Sequence, residues 1–62
     1  MIDATPYRIV LQRLVEDGAT DARIAERIGY SRTAVRNVRI GKTKTIHPDT
    51  AQAIADMLVG AR

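Results

Sequence analysis

The chain has 62 residues, with ten Lys and Arg against seven Asp and Glu, and it contains no cysteine. This length predicts one domain over residues 1–62, near the lower limit for a chain that folds unaided, and the lack of cysteine excludes disulfides and thiolate metal sites. No apolar run approaches the roughly eighteen residues that a membrane span needs, and no basic segment followed by an apolar one begins the chain. We therefore expect a cytoplasmic protein without a membrane partner.

Apolar spacing, capping residues and glycines predict an all-α fold, a compact bundle of about four short helices with no strand. The first helix covers about residues 6–17, because Thr5 can cap it, Pro6 suits its first position and Gly18 can end it. Its apolar stripe consists of Tyr7, Val10, Leu11, Leu14 and Val15.

The next two helices follow each other closely. One covers about residues 21–28, after the cap Thr20, and ends at Gly29, since glycine adopts the left-handed conformation at low cost. The other covers about residues 32–40, after the cap Ser31, and Gly41 closes it. Their predicted inward faces are formed by Ile24, Ala25 and Ile28 in the first of the pair and by Val35 and Val38 in the second.

The last helix follows a polar loop over residues 42–47. It covers about residues 48–59, opened by Pro48 and stopped by Gly60, with an inward stripe of Ala51, Ile54, Ala55 and Leu58. Three further apolar residues lie beside this stripe or further round the helix: Ala53, Met57 and Val59. They are either part of a broad core-facing stripe or a surface through which two copies form a homodimer.

The basic residues are concentrated in one part of the chain. Residues 31–46, here called the basic segment, contain five Lys and Arg and no acid, whereas residues 1–30 and 47–62 each carry one net negative charge. A solvated helix usually mixes its signs, whereas a patch of one sign attracts a polyanion. The basic segment therefore predicts a nucleic-acid partner, bound with a steep dependence on salt.

The third helix places its polar residues opposite Val35 and Val38, at spacings of one, three and four; they are Arg32, Thr33, Arg36 and Asn37. Two short helices joined at a glycine, the second with an arginine-rich outward face, have the layout of a helix-turn-helix. In that motif one helix crosses the DNA backbone and the next enters the major groove. The alternative is an ordinary antiparallel helix pair with a solvated charged face, and the single sign of the basic segment argues against it.

The stretch from Thr20 to about Leu58 resembles the helix-turn-helix domains of phage repressor and Cro-type regulators, and is similar to the headpieces of lactose-repressor-type regulators. The residues that carry the resemblance are Ile24-Ala25, Gly29, Ser31, Thr33, Val35, Val38, Gly41, Pro48-Asp49-Thr50 and Leu58. The chain departs from the pattern at Asp21, where these families often place a neutral residue that touches phosphate.

The docking that this resemblance implies assigns a role to each residue. Five residues would face base edges in the major groove: Ser31, Arg32, Thr33, Arg36 and Asn37. Five others would contact phosphate: Thr20, Arg39, Lys42, Thr43 and Lys44. Thr20 would act through the backbone N–H groups at the start of its helix.

No motif indicates catalysis. His47 is the only histidine and precedes a helix start, so a capping or loop role is expected rather than a metal site or a general base. We expect no enzyme activity, no cofactor, no metal and no small-molecule ligand. The predicted function is sequence-specific binding of double-stranded DNA, as a transcriptional repressor of phage or prokaryotic type at the nucleoid. The alternatives are an architectural or excision factor for site-specific recombination, and a module that binds another protein.

Overall fold

The computed structural model describes the backbone of residues 1–60 and the side chains of residues 1–58. The helices in this part are α1 (Thr5–Glu16), α2 (Asp21–Ile28), α3 (Arg32–Arg39) and α4 (Pro48–Gly60). Two short strands, β1 (Ile2–Asp3) and β2 (Thr45–Ile46), pair antiparallel. The predicted all-α bundle of four short helices is confirmed, and the helix ends lie within one residue of the predicted ones. The last two residues of the predicted domain, 61–62, lie outside the described part.

The start of α1 differs from the prediction. Ala4, not Thr5, is the N-cap residue, and the Asp3 carboxylate accepts a hydrogen bond from the Thr5 backbone N–H at 2.9 Å. Thr5 therefore lies inside the first turn, next to Pro6. The aspartate satisfies one of the free N–H groups at this helix end and complements the helix dipole there.

The caps of α2 and α3 are confirmed. The Thr20 hydroxyl accepts from the Arg23 N–H at 3.2 Å, and the Ser31 hydroxyl accepts from the Ala34 N–H at 3.0 Å. Gly29, which ends α2, has a φ of 71°, so it lies in the left-handed region as predicted. These local bonds leave only three residues between the end of α2 and the start of α3.

The core lies where all four helices meet. Its buried residues are Ala4, Leu11, Leu14, Ile24, Ala25, Val35, Val38, Ile46, Ala51 and Ile54. Tyr7, Val10 and Val15 of the predicted α1 stripe are half-buried and pack against this core. The inward faces predicted for α2 and α3 are those that the structure buries, with Ile28 half-buried at the end of α2.

The strand pair is a correction to the predicted polar loop over residues 42–47. Ile46 is only 1% exposed, and it pairs with Ile2 across the two strands. The Ala4 N–H donates to the Lys44 carbonyl at 3.0 Å and extends the pairing by one bond. A two-residue strand is too short to show an alternating pattern, and its partner lies far away in the chain, so no local signal reveals it.

The inward face of α4 is also corrected. Leu58 is 50% exposed, whereas Met57 is half-buried and packs against the core beside Ile54. The buried stripe of α4 is thus rotated toward Met57. Of the predicted self-association residues, Ala53 and Met57 are half-buried, and the side chain of Val59 lies outside the described part.

Candidate nucleic-acid interface

The polar face of α3 is presented to solvent. Arg32, Thr33 and Arg36 are exposed, whereas Val35 and Val38 on the other face are fully buried. The buried valines pack α3 against the core, and the Ser31 cap fixes its first turn. Both interactions therefore fix the position of the backbone that carries the arginines. Within residues 1–60 the guanidinium groups of Arg32 and Arg36 make no hydrogen bond or ion pair. Both are available to an external acceptor.

Asn37 differs from the rest of the predicted base-contacting set. It is half-buried, and its backbone carbonyl accepts from the N–H groups of both Lys42 and Thr43, at 2.9 and 3.0 Å. These bonds fold the chain back against the end of α3 directly after Gly41, whose φ of 84° permits the reversal. The loop that carries the predicted phosphate contacts is therefore attached to the helix that carries the predicted base contacts.

Arg39 is held by an acid from another helix. Its Nε and one terminal nitrogen donate to the two oxygens of Asp21, both at 2.8 Å, in the bidentate geometry that suits a guanidinium and a carboxylate. The side chains are 27% and 18% exposed. Arg39 was predicted to contact phosphate, but here its charge is largely neutralised by Asp21. Asp21 thus contributes one negative charge to the surface of the otherwise acid-free basic segment.

Asp21 at the start of α2 is influenced by all three arginines of α3. The hydrogen bonds from Arg39 are the largest effect and lower the pKa of the Asp21 carboxyl. Burial opposes them, and the charges of Arg39, Arg36 and Arg32 each lower the pKa by a smaller amount. The carboxylate in turn raises the pKa of Arg39. The exposed arginines and the N-terminus of α2 therefore form one continuous electrostatic surface.

The remaining predicted phosphate contacts differ in exposure. Lys42 and Lys44 are exposed and Thr43 is half-buried, whereas Thr20 uses its hydroxyl as the α2 cap. The side-chain amide of Gln12 donates to the Arg39 carbonyl at 3.0 Å and ties α1 to the end of α3. Helical periodicity gave no indication of this contact, because Gln12 lies on the polar side of the α1 stripe.

Outside this region the chemistry is sparse. The ring Nδ1 of His47 accepts from the Asp49 N–H at 3.1 Å, which confirms the expected capping role at the start of α4. Among the described residues no group of three His, Cys, Asp or Glu side chains could hold a metal ion. No helix over residues 1–60 has the length and apolar character needed to cross a membrane.

Comparison with protein-family models, with curated proteins and with solved structures finds no match to this chain. Inference of function therefore rests on its residues and their geometry.

Proposed function

We propose that this protein binds double-stranded DNA in a sequence-specific manner, with α2 and α3 acting as a helix-turn-helix and α3 entering the major groove. The observation that carries the proposal is the exposed face of α3, where Arg32 and Arg36 lie one turn apart and their guanidinium groups have no partner within residues 1–60. An arginine at this position can donate two parallel hydrogen bonds to the O6 and N7 atoms of guanine.

Other residues of α3 would complete the reading of bases. Asn37 can pair with the N6 and N7 atoms of adenine, and the methyl group of Thr33 can pack on the methyl group of thymine. Ser31 lies at the N-terminus of the helix, the end that approaches base edges in this docking mode. Because Asn37 is half-buried, we expect its contribution to require a closer approach than that of Arg36.

Phosphate contacts would come from the flanks of α3. Lys42, Thr43 and Lys44 follow α3, and Thr20 caps the N-terminus of α2. Asp21 occupies two of the N–H donors of Arg39 and offsets its charge. We therefore assign the main phosphate contacts to the two lysines and Thr43, with Arg39 contributing less.

The decisive experiment is selection of bound fragments from a random duplex library at near-physiological salt. An enriched inverted repeat with half-sites about 10 base pairs apart would establish a dimeric, operator-binding regulator. A single short site would indicate binding by a monomer. Retention without enrichment would reduce the protein to an architectural binder, and clustered direct repeats would favour an excision factor. Absence of retention would favour a protein-binding module and contradict the proposal.

One substitution separates base contacts from backbone contacts. Arg36→Ala should cost about 1–3 kcal/mol of binding free energy on the selected site and relax specificity at one base pair. The matched control is Arg13→Ala, which removes an exposed arginine from α1. An equal loss on all sequences would instead assign Arg36 to the phosphate backbone.

The proposed role is that of a transcriptional repressor of phage or prokaryotic type, acting at the nucleoid in the cytoplasm. If the selected site is an inverted repeat, the second copy would pair through the α4 face that includes Ala53 and Met57, with the exposed Leu58 at its edge. A dimer that survives Leu58→Lys would contradict this arrangement.

A further inference from the structure

An open notch lies between the start of α1 and the loop that follows α3. It is lined by Ala4, Thr5, Arg8, Gly41, Thr43 and Lys44. These residues bring together one guanidinium, one ammonium and two hydroxyl groups, all of which can donate hydrogen bonds. Such a set of donors suits an oxyanion.

The position of the Arg8 side chain depends on the glycine at position 41. A Cβ atom at Gly41 would lie 2.9 Å from one terminal nitrogen of Arg8 and 3.5 Å from its Cδ. The glycine therefore leaves the space over which the arginine passes. Its φ of 84° also allows the chain to turn at this point, so the same residue closes α3 and seats Arg8.

Arg8 has an unsatisfied donor in this position. Its Nε is buried and has no hydrogen-bond partner within residues 1–60. Since the Nε atom is covered, an external acceptor would meet the terminal nitrogens of Arg8, which make no hydrogen bond or ion pair within residues 1–60 either. The charge of Arg8 contributes to lowering the pKa of Asp3, but the Asp3 carboxylate accepts its hydrogen bond from the Thr5 N–H.

We propose that this notch binds one phosphodiester group of the DNA backbone, with Arg8 as the principal donor and Thr43 and Lys44 beside it. The inference rests on the proposed function and extends the interface to α1, which no sequence pattern connected with DNA. In this arrangement the phosphate would be bound by residues of two elements, α1 and the loop after α3, and not by the loop alone.

The test is the salt dependence of duplex binding by wild-type protein and by Arg8→Gln. Removing one phosphate contact should reduce the slope of log K against log salt by about 0.9 and lower affinity equally on selected and random duplexes. The control is Arg13→Gln, which removes the same charge from the same helix about 140° further round. An unchanged slope in Arg8→Gln, or an equal loss in Arg13→Gln, would overturn the proposal.

A measurement on the wild-type protein covers the case in which Arg8→Gln does not fold. The proton on Arg8 Nε should shift in the NMR spectrum when duplex DNA is added, and an unshifted resonance at saturation would overturn the proposal. If duplex DNA does not bind at all, the proposed function fails, and a titration with inorganic phosphate tests the notch separately. A saturable shift of the Arg8 Nε proton resonance that chloride at the same ionic strength does not produce would show that the notch binds an anion. Absence of that shift would show that it does not.

Discussion

The ion pair between Asp21 and Arg39 offers a substitution whose effects on stability and on DNA binding have opposite signs. Asp21→Asn keeps the size of the side chain but removes its charge and one of the two 2.8 Å acceptors. The pair is partly buried and bidentate, so its contribution should lie near the upper end of that of surface pairs, about 1 kcal/mol. For a domain of this size, that loss lowers Tm by about 4–8 °C.

The same pair predicts an acid dependence of stability. The pKa of Asp21 is lower in the folded protein than in the unfolded chain, where it is about 3.9. Its stabilising contribution is therefore complete above about pH 4 and is lost as the pH falls through the folded pKa. In Asp21→Asn this part of the acid destabilisation should be absent, so the stability difference from wild type should shrink below pH 4.

DNA binding should respond in the opposite direction. With Asp21 neutral, Arg39 regains a full charge at the edge of the arginine face and can neutralise a phosphate. The salt slope should then steepen by about 0.9, and affinity for random duplexes should rise. Specificity should fall, because the added contact is blind to sequence.

Thermal unfolding followed by circular dichroism and a salt series of duplex binding measure the two effects. Asp17→Asn is the control for net charge, since Asp17 is exposed at the end of α1. A cycle with Arg39→Gln isolates the pair: the Asp21→Asn effect should become much smaller when Arg39 is already replaced, with a remainder from Arg36, Arg32 and the α2 dipole. If Asp21→Asn remains as destabilising in that background, the reasoning is refuted.

Three further predictions follow from single residues. Ser31→Ala should lower stability by about 1 kcal/mol through loss of the α3 cap, whereas Ser31→Asn should keep it; equal unfolding temperatures for the two would contradict the capping role. Ile46→Ala should lower the free energy of unfolding in denaturant by about 2–5 kcal/mol, whereas Ile40→Ala, at a position 52% exposed, should lower it little. Similar losses for the two variants would contradict the core position of Ile46. Lys44→Ala should weaken binding to every duplex and flatten the salt slope by about one, and an unchanged slope would remove Lys44 from the interface.

The elements that sequence alone predicted well are those determined by neighbours in the chain. The caps at Thr20 and Ser31 and the left-handed turn at Gly29 involve residues at most a few positions apart, so their patterns are local. The inward faces of α2 and α3 follow from helical spacing in the same way. The exposure of Arg32 and Arg36 follows from the same spacing, because they lie on the face of α3 opposite the buried valines.

The features that escaped prediction join distant parts of the chain. Asp21 meets Arg39, Arg8 passes over Gly41 and Ile2 pairs with Ile46, and no periodicity links the members of these pairs. The first of them changes the electrostatics of the candidate site, because an acid from α2 is added to a stretch that contains none. The exposure of Leu58 shows a related limit: two adjacent apolar residues can each complete a helical stripe, and packing selects one.

The strand pair has a consequence for the loop that precedes β2. Pairing of Ile2 with Ile46 closes a loop of roughly forty residues with only a few backbone bonds, so burial of the Ile46 side chain offsets much of the entropy of closure. The end of the pair at Ala4 and Lys44 can open while Ile46 stays buried, so the amide of Ala4 should exchange with solvent faster than the amides of the core helices. Warming should then free the loop over residues 42–44 while the helices remain folded, and under the proposed function this would weaken the phosphate contacts of that loop.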